Sequence, residues 1–295
     1  MHSAIKAAIV IASLSQHLWA SPESVALVQG TSSMPNDAER RYGASVTKRL
    51  SRWLNEIPIP HKMLTDEALT AAQLRGIRVL ILGYNPTPQP GTLTVLNRFV
   101  ADGGKLIVFY GASPELANLM GLRLGPYMGA SGTHHWTGMR FKRVKGGEPP
   151  SLIRQQSRSI RPVYPAVQSA RIVATWDDER GKPSGKPAIV ESPKGTWITH
   201  VLLDDGDTHD KKQILLTCVG RHIPEAWQAA AEHTLKACGS IGNYTSPSHA
   251  WQSIHAQVTA AGAPPAAKQH YRLATDHYEA AKRAIVDRRY ADTVQ

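Results

Sequence analysis

Short apolar runs alternate with segments of helical periodicity in the first half of the chain. Val79–Leu82 and Leu106–Phe109 are continuous apolar runs that lie close to glycines. Such short runs, without alternation, are typical of strands buried on both faces of a parallel sheet. The apolar residues at helical spacing between them are Leu93, Leu96, Phe99 and Val100. The pattern predicts a βαβ unit within a doubly wound α/β domain.

The segments before this unit continue the same pattern. Val25–Val28 is predicted as a first core strand, and Lys62–Leu64 as a weak second strand. The stretch from Asp37 to Leu54 has helical periodicity, and Asn36 is suited to cap its N-terminus. A further short helix is predicted from Thr65 to Leu74.

Beyond Leu122 the pattern changes to short β-rich segments separated by glycine and proline, as far as about Leu203. Pro193-Lys194-Gly195 is predicted as the hinge of a hairpin. The predicted helices that follow are Lys211–Arg221, Pro224–Ala237, Trp251–Ala261 and Ala266–Tyr290. A linker after Gly239 sets the last two apart as a C-terminal helical appendage.

Two stretches carry a resemblance to a known family. They are FVADGGKLIVFYG, and ARIVATWDDERGKPSGKPAIVESPKGTWITHVLLDDGD followed by KKQILLTCVGRHIPEAW. They resemble the glutamine-amidotransferase-like, flavodoxin-like domain that precedes the catalytic barrel in some bacterial proteins of the glycosyl-hydrolase-like family 10 group. The β-galactosidase trimerisation domain is a relative of similar build. The resemblance covers roughly residues 24 to 240. It implies a mostly parallel, flavodoxin-like sheet of the class I glutamine-amidotransferase type with a β-rich insertion.

We therefore expect a signal peptide at residues 1–20, an amidotransferase-like α/β domain at 24–240 and a helical appendage at 241–295. The first segment has Lys6 before an apolar stretch and Ala20 at the expected cleavage site. A helix retained in the mature protein is the alternative. A signal peptide implies export to the periplasm or the extracellular space. No other apolar run approaches the roughly 18 residues of a membrane span, so no membrane span is predicted.

The formal charge of +11 raises the question of a polyanionic partner. Basic residues are spread along the chain, and the densest cluster, Arg140–Lys145, alternates as a strand would. No nucleic-acid-binding motif accompanies this cluster, so nucleic acid is not an expected partner. A solvated strand face is the favoured interpretation, and an acidic polysaccharide suits an exported protein better than DNA.

No cofactor and no metal are predicted. The loop Gln29–Ser33 lacks both the Gly-x-Gly-x-x-Gly pattern and the Gly-Lys-Ser/Thr ending of phosphate loops. His134 and His135 are adjacent on a predicted strand, where they would point to opposite faces. The acidic loop from Asp204 to Asp210 lacks the spacing of a calcium loop, and it is expected to cap the helix that follows.

The turn after Phe109 decides the expected chemistry. In the amidotransferases that the chain resembles, a cysteine nucleophile lies on this strand-to-helix turn. This chain has Tyr110-Gly111-Ala112-Ser113-Pro114 instead. No thiol is available there, so amidotransferase activity is not expected. Ser113 is the one candidate nucleophile, although serine followed by proline also fits a helix N-cap.

Loops at the carboxyl ends of the predicted strands supply the candidate ligand-binding residues, because ligands of doubly wound sheets bind there. Each candidate also has a structural interpretation, in a turn or a helix cap. The candidates are Tyr84, Asn85, Tyr110, Gly111, Asp204 and Asp205. Other aromatic residues would stack on sugar rings only if exposed, and the core is favoured for most of them. These are Trp136, Trp176, Trp197, Tyr127 and Tyr164.

Two cysteines, Cys218 and Cys238, lie on adjacent predicted helices. In a simple helical hairpin they would be offset by several turns, which favours two buried thiols. A crossed packing in an exported protein would allow a disulfide. Both arrangements remain open.

Three functions remain open. The resemblance favours a non-catalytic, exported accessory module of glycoside hydrolase systems that binds glycans. Its expected partners are a polysaccharide, a glycoside hydrolase barrel on another chain and a second copy of the chain. The sequence ends at Gln295, and we expect the barrel to be missing, on a separate chain or lost. One alternative is a structural or oligomerisation domain. The other is a residual hydrolase that uses Ser113 or a carboxylate pair drawn from Asp177, Asp178, Asp204 and Asp205.

Overall fold

One nine-stranded sheet organises the computed structural model, which describes residues 24–129, 135–142, 151–237, 247–260, 264–287 and 289–290. The strands are β1 (Val25–Gln29), β2 (Lys62–Thr65), β3 (Val79–Leu82), β4 (Lys105–Phe109), β5 (Leu122–Leu124), β6 (Met128–Gly129), β7 (Trp136–Phe141), β8 (Leu152–Ser157), β9 (Ser159–Ile160), β10 (Val163–Pro165), β11 (Arg171–Asp177), β12 (Pro183–Ser192) and β13 (Gly195–Ile198). The helices are α1 (Asp37–Glu56), α2 (Pro90–Ala101), α3 (Pro114–Leu119), α4 (Thr208–Gly220), α5 (Glu225–Ala237), α6 (Pro247–Thr259) and α7 (Pro265–Val286).

The sheet has the strand order β2-β1-β3-β4-β13-β12-β11-β7-β8. Its first half, from β2 to β13, is parallel throughout. The apolar runs that predicted these strands are buried on both faces, as a parallel sheet between helices requires. The predicted βαβ unit is confirmed, since β3, α2 and β4 follow in order and β3 pairs with β4 in parallel.

The second half of the sheet is antiparallel, from β13 through β12, β11 and β7 to β8. Pro193 and Lys194 connect β12 to β13, as the predicted hairpin hinge requires. The expectation of a mostly parallel sheet therefore holds for the first half only. Two further pairs, β5 with β10 and β6 with β9, form separate two-stranded sheets.

Helices cover both faces of the parallel half. Side chains of successive strand residues point to opposite faces, so Leu27 of β1 lies in one core cluster and Val28 in the other. The cluster around Leu27 includes side chains of α1, α4 and α5, whereas the cluster around Val28 includes side chains of α2 and α3. The parallel half of the sheet thus has one layer of helices on each face, and a core cluster lies between the sheet and each layer.

The C-terminal helices form a small packed group. Helix α7 contacts both α5 and α6. Trp251 of α6 stacks on Tyr278 of α7 with ring centroids 4.6 Å apart, and its Nε1 donates to Thr275 Oγ1 at 3.0 Å. Helices α6 and α7 therefore pack on each other, and α7 also packs on α5.

One predicted element is wrong. Thr65 ends β2, and the residues from Glu67 to Gly76 form turns rather than a helix. The Gln73 side chain accepts a hydrogen bond from the backbone N–H of Thr70 at 2.9 Å, which replaces a helical bond with a local one. The predicted signal peptide, His134 and Cys238 lie outside the described residues.

Gly195 lets β13 lie against β4. Its φ is +141°, and a Cβ at this position would lie 1.8 Å from the carbonyl oxygen of Leu106. Gly181 also has a positive φ, +70°, but a Cβ there would meet no atom within 4 Å. An alanine at position 181 would therefore introduce backbone strain alone, whereas an alanine at position 195 would introduce strain and a clash with β4.

We expect Gly195→Ala to lower the free energy of unfolding by roughly 3–5 kcal/mol, since both strain and clash act. Gly181→Ala should cost only about 1–2 kcal/mol, the strain of a left-handed backbone. Urea unfolding followed by circular dichroism measures both values. Equal losses in the two variants would contradict the close pairing of β13 with β4.

Candidate functional site

Asp66 joins the carboxyl ends of three parallel strands. It directly follows β2, and its backbone N–H donates to Gln29 O, the last residue of β1, at 3.1 Å. Its Oδ1 accepts from the backbone N–H groups of Thr31 and Ser32 at 2.7 and 2.9 Å, and from both of their hydroxyls. Its Oδ2 accepts from Ser33 N–H at 3.2 Å and from Asn85 Nδ2, beyond β3, at 3.0 Å.

This carboxylate is buried, and both of its oxygens accept hydrogen bonds from the protein. Asp66 is 2% exposed. Burial raises the pKa of its carboxyl, but the hydrogen bonds from Ser33, Thr31 and Asn85 outweigh burial and hold the pKa below its usual value. Asp66 is therefore a structural anion at this edge.

Tyr84 and Tyr110 come together above the ends of β3 and β4. Their rings stack with centroids 5.6 Å apart and an interplanar angle of 30°. The ring of Tyr42, on α1, meets Tyr84 edge-on at 5.3 Å. The Tyr84 hydroxyl donates to Glu39 Oε2 at 2.7 Å. Burial and the neighbouring Glu39 carboxylate raise the pKa of Tyr84, so the phenol is neutral near pH 7.

The turn after β4 has a left-handed backbone at its first residue. Tyr110 has a φ of +49°, in the left-handed region that side chains other than glycine rarely adopt. Its N–H donates to Ile198 O of β13 at 2.9 Å, and Ala112 N–H donates to Pro86 O at 2.7 Å. These two bonds hold the turn between the neighbouring strand ends. A tyrosine thus occupies the strand-to-helix turn.

His200 completes the group at the end of β13. Its ring meets Tyr110 edge-on at 6.3 Å and Trp176 edge-on at 6.4 Å. Nδ1 lies 2.8 Å from the acceptor Val201 O and 3.2 Å from the donor Gln155 Nε2. The Gln155 amide donates at shorter distances to Ser157 Oγ and Val201 O, which favours the proton on Nδ1 of His200. Burial lowers the pKa of His200, which favours the neutral ring with an acceptor lone pair on Nε2. We call Tyr42, Tyr84, Tyr110 and His200 the tyrosine cluster.

Asn85 and Gly111, two of the predicted ligand-binding residues, have structural contacts. Asn85 is 1% exposed and binds Asp66, and its Oδ1 has no hydrogen-bond partner among the described residues. A Cβ on Gly111 would lie 2.4 Å from Trp197 Cζ2, so glycine lets the buried indole pack under the turn. Both residues support the edge and hold it in place.

Ser113 is the N-cap of α3. Its Oγ accepts from Leu116 N–H at 3.1 Å and donates to Glu115 Oε2 at 2.8 Å. Pro114 occupies the first helical position, as the cap interpretation predicts. No histidine among the described residues hydrogen-bonds this hydroxyl, so nothing in the geometry activates it as a nucleophile.

Asp204 and Asp205 bind neighbouring elements. Asp204 Oδ2 pairs with Arg52 Nη2 at 2.8 Å, and its Oδ1 accepts from Thr208 Oγ1 at 3.2 Å. Asp205 pairs with the fully buried ammonium of Lys211 and accepts from Gln156 N–H at 2.8 Å. Removing Asp205 would leave a buried charge without its counter-ion, so its first role is structural.

The acidic residues proposed for a carboxylate pair are similarly occupied. Asp177 is 1% exposed and forms a two-pronged pair with Arg140, at 3.0 and 2.6 Å. Asp178 accepts the N–H groups of Arg180 and Lys182 at 2.9 Å, which lowers its pKa. The hydrogen bond from Arg52 likewise lowers the pKa of Asp204. A glycosidase acid needs a raised pKa, so this geometry does not favour the hydrolase alternative.

The aromatic residues considered for sugar stacking divide by exposure. Trp176 and Trp197 are fully buried, and Trp176 Nε1 donates to Thr199 Oγ1 at 2.8 Å. Tyr127 is 55% exposed. Trp136 and Tyr164 are partly buried, and the Tyr164 ring lies under Arg123. The two buried tryptophans therefore belong to the core.

The described residues were also compared with the requirements of a metal site, a membrane span and a second pocket. No group of three or more His, Cys, Asp or Glu residues there could hold a metal ion. None of the helices in the described segments combines the length and apolarity of a membrane span. A groove of about 710 Å³ lies at the opposite, amino edge of the sheet, beside Arg75, Ile77 and Gly104, and no predicted site residue lines it.

Sequence reasoning missed Glu39, Asp66, Arg161 and His200. Asp66 follows the edge strand β2 and His200 follows the buried strand β13, each within two residues, and that placement was the available signal. Glu39 reaches the edge only because α1 packs beside β1. The backbone N–H of Arg161 donates to Thr199 O at 3.2 Å, a contact between distant segments that no local pattern predicts.

The fold and this edge together define a mixed α/β domain whose strand-to-helix turn after β4 carries Tyr110. No protein-family model matches the sequence, and no curated protein matches it. Solved structures do resemble it.

A ThuA-like protein from Bacteroides uniformis has a TM-score of 0.52 at 9% identity, over 68% of this chain and 92% of that protein. A cold-adapted β-galactosidase from Rahnella sp. R3 has a TM-score of 0.50 at 16% identity. The β-galactosidase from Bacillus circulans has a TM-score of 0.49 at 16% identity. Both β-galactosidase matches cover 68% of this chain and only 31% of the enzyme. At these identities the likeness shows the fold alone.

We expect Asp66→Asn to lower the free energy of unfolding at pH 7 by about 2–4 kcal/mol, because hydrogen bonds to a charged group are lost. The folded pKa lies below the unfolded value of about 3.9, so the ionised carboxylate stabilises the fold above that value. This contribution is lost as the pH falls through the folded pKa. Urea unfolding from pH 7 to pH 3 should show this acid-sensitive part in the wild type and not in Asp66→Asn. The exposed Asp102→Asn is the control, and an equal effect there would contradict the assignment.

Cys218 should be unreactive in the folded protein. It is 3% exposed, and burial raises the pKa of its thiol to about 12, so almost no thiolate exists at pH 8. In a Cys238→Ser variant, a thiol reagent should label Cys218 only after unfolding. Rapid labelling of the folded variant would show that the thiol is accessible.

Proposed function

We propose that this chain is a non-catalytic accessory module of a carbohydrate-processing system, and that it binds a glycan at the tyrosine cluster. The observation that carries the proposal is the turn at Tyr110. A left-handed turn that could hold a nucleophile instead presents a partly exposed aromatic ring, stacked on a second ring. Aromatic faces with a few polar groups beside them are typical of small-ligand sites.

The strand order supports the placement of this site. The parallel strands run β2-β1-β3-β4-β13, which is the order of a flavodoxin-like, doubly wound sheet. In such sheets ligands bind outside the carboxyl ends of the strands. The rings of Tyr84, Tyr110 and His200 lie at that edge. We include the flavodoxin-like assignment and the β-rich insertion in the proposal.

The polar groups of the cluster suit sugar hydroxyls. Glu39 Oε2 holds one hydroxyl already, that of Tyr84, and a carboxylate can accept more than one. The neutral His200 offers an acceptor at Nε2, and the phenol of Tyr110 both donates and accepts. Such a set recognises hydroxyl groups without requiring a charge on the ligand.

The remaining parts of the proposal follow from the resemblance. They are export to the periplasm or extracellular space, removal of residues 1–20, and action beside a glycoside hydrolase barrel on another chain. The β-galactosidase of Rahnella sp. R3 supports an association with such systems only through its fold. An oligomerisation role is the alternative. A concentration-dependent mass that disappears on deletion of residues 250–295 would favour it.

The test is a glycan-array screen of the chain from Ser21, with neutral and acidic polysaccharides, followed by calorimetry on each hit. We expect Tyr110→Leu to weaken binding about tenfold or more, because the stacking face is lost. Tyr110→Phe keeps the ring and should retain most of the affinity. Tyr271→Leu, on α7, is the matched control and should bind as the wild type does.

Circular dichroism melting shows whether each variant is folded before binding is compared. The proposal fails if no glycan binds, or if Tyr110→Leu and Tyr271→Leu bind equally well. Glutaminase activity, measured as ammonia release, should be at background level in every sample.

A further inference from the structure

The guanidinium of Arg161 lacks a counter-ion in the part of the chain that the structure describes. Its Nε is buried and has no hydrogen-bond partner there. Two other arginines of the sheet are paired, Arg140 with Asp177 and Arg171 with Glu191. A buried donor without an acceptor costs roughly 1–3 kcal/mol, so the Nε N–H of this half-buried side chain points to an acceptor supplied by a ligand.

Arg161 lies next to the tyrosine cluster. Its backbone N–H donates to Thr199 O at 3.2 Å, and Thr199 directly precedes His200. The His200 ring contacts Tyr110, whose own N–H donates to Ile198 O. Arg161 and Tyr110 are thus both anchored to the end of β13. Burial raises the pKa of Tyr110, and the positive charge of Arg161 acts against that rise.

We propose that the tyrosine cluster takes an acidic sugar, a uronate, whose carboxylate is bound by Arg161. This inference rests on the proposed glycan-binding function and adds the charge of the ligand. A guanidinium presents paired N–H donors that match the two oxygens of a carboxylate. Glu39, which also acts on Tyr110 electrostatically, is left to accept hydroxyl groups.

The arrangement gives a ligand partner to Arg161, Glu39 and His200. The uronate carboxylate replaces the missing acceptor of Arg161, and the pyranose face lies on the Tyr110 ring. The sugar hydroxyls reach the acceptors of Glu39 and His200. Because the binding charge comes from a single placed arginine, it differs from the diffuse attraction of a chain with a formal charge of +11.

The test uses oligomers of galacturonate, glucuronate, mannuronate and guluronate, each as the free acid and as its methyl ester. The ester keeps the ring and its hydroxyls, removes the charge and adds one methyl group. Calorimetry at about 0.15 M salt limits non-specific attraction, since the screening length is then roughly 8 Å. We expect at least one acid to bind tenfold or more tightly than its ester.

Arg161→Gln should weaken binding of that acid by about ten- to a hundredfold and leave binding of the ester unchanged. Arg161→Lys, which keeps the charge but loses the planar fork, should fall between the two. Arg158→Gln is the matched control. Arg158 is exposed and lies three residues before Arg161, and its substitution removes the same charge. Melting curves confirm that all three variants are folded.

The outcomes separate this inference from the proposed function. Equal binding of acid and ester, or of neutral glycans alone, overturns the inference and leaves glycan binding in place. An equal loss in Arg158→Gln and Arg161→Gln also overturns it, because the attraction is then non-specific. If no glycan of either kind binds, the proposed function fails and the inference fails with it.

Discussion

The hydrogen bonds to the Asp66 carboxylate are the interaction on which the carboxyl edge of the sheet depends. A parallel sheet leaves the loops at its strand ends without ladder partners, so something else must fix them. Here one buried carboxylate accepts bonds from the loop after β1 and from Asn85 after β3, while Asp66 itself directly follows β2. Tyr84, adjacent to Asn85, is placed by the same contacts. The hydrogen bonds to Asp66 thereby fix the backbone that carries the Tyr84 ring.

The change of direction within the sheet is the second constraint. The parallel half needs helices on both faces, and the antiparallel half is built from hairpins. β13 belongs to both halves, because it pairs in parallel with β4 and antiparallel with β12. Gly195 at its start allows the close approach to Leu106. At the end of β13, Ile198 O accepts from Tyr110 N–H and Thr199 O accepts from Arg161 N–H. The ring of His200, the next residue, contacts Tyr110.

Much of the fold was predictable because its signals are local. Continuous apolar runs identified β1, β3 and β4, Ser113-Pro114 identified an N-cap, and Pro193-Lys194-Gly195 identified a hairpin. The prediction of a helix from Thr65 to Leu74 was wrong, because a hydrogen bond between Thr70 and the Gln73 side chain replaces a helical one. The site was predicted only in part. Tyr84, Tyr110 and His200 all follow strands, and the sequence prediction named only the two tyrosines, whereas Glu39 and Arg161 meet them through tertiary packing, which single-sequence patterns do not encode.

The left-handed backbone at Tyr110 also has a consequence for engineering. Glycine adopts this conformation without steric penalty, while a side chain there costs on the order of 1 kcal/mol. The half-buried ring offsets this cost by stacking on Tyr84 and by contacting His200. Position 110 thus combines an unfavourable backbone conformation with favourable ring contacts, and any substitution there changes both. Efforts to stabilise the scaffold should therefore hold position 110 constant and draw their gains from the helices and the antiparallel hairpins.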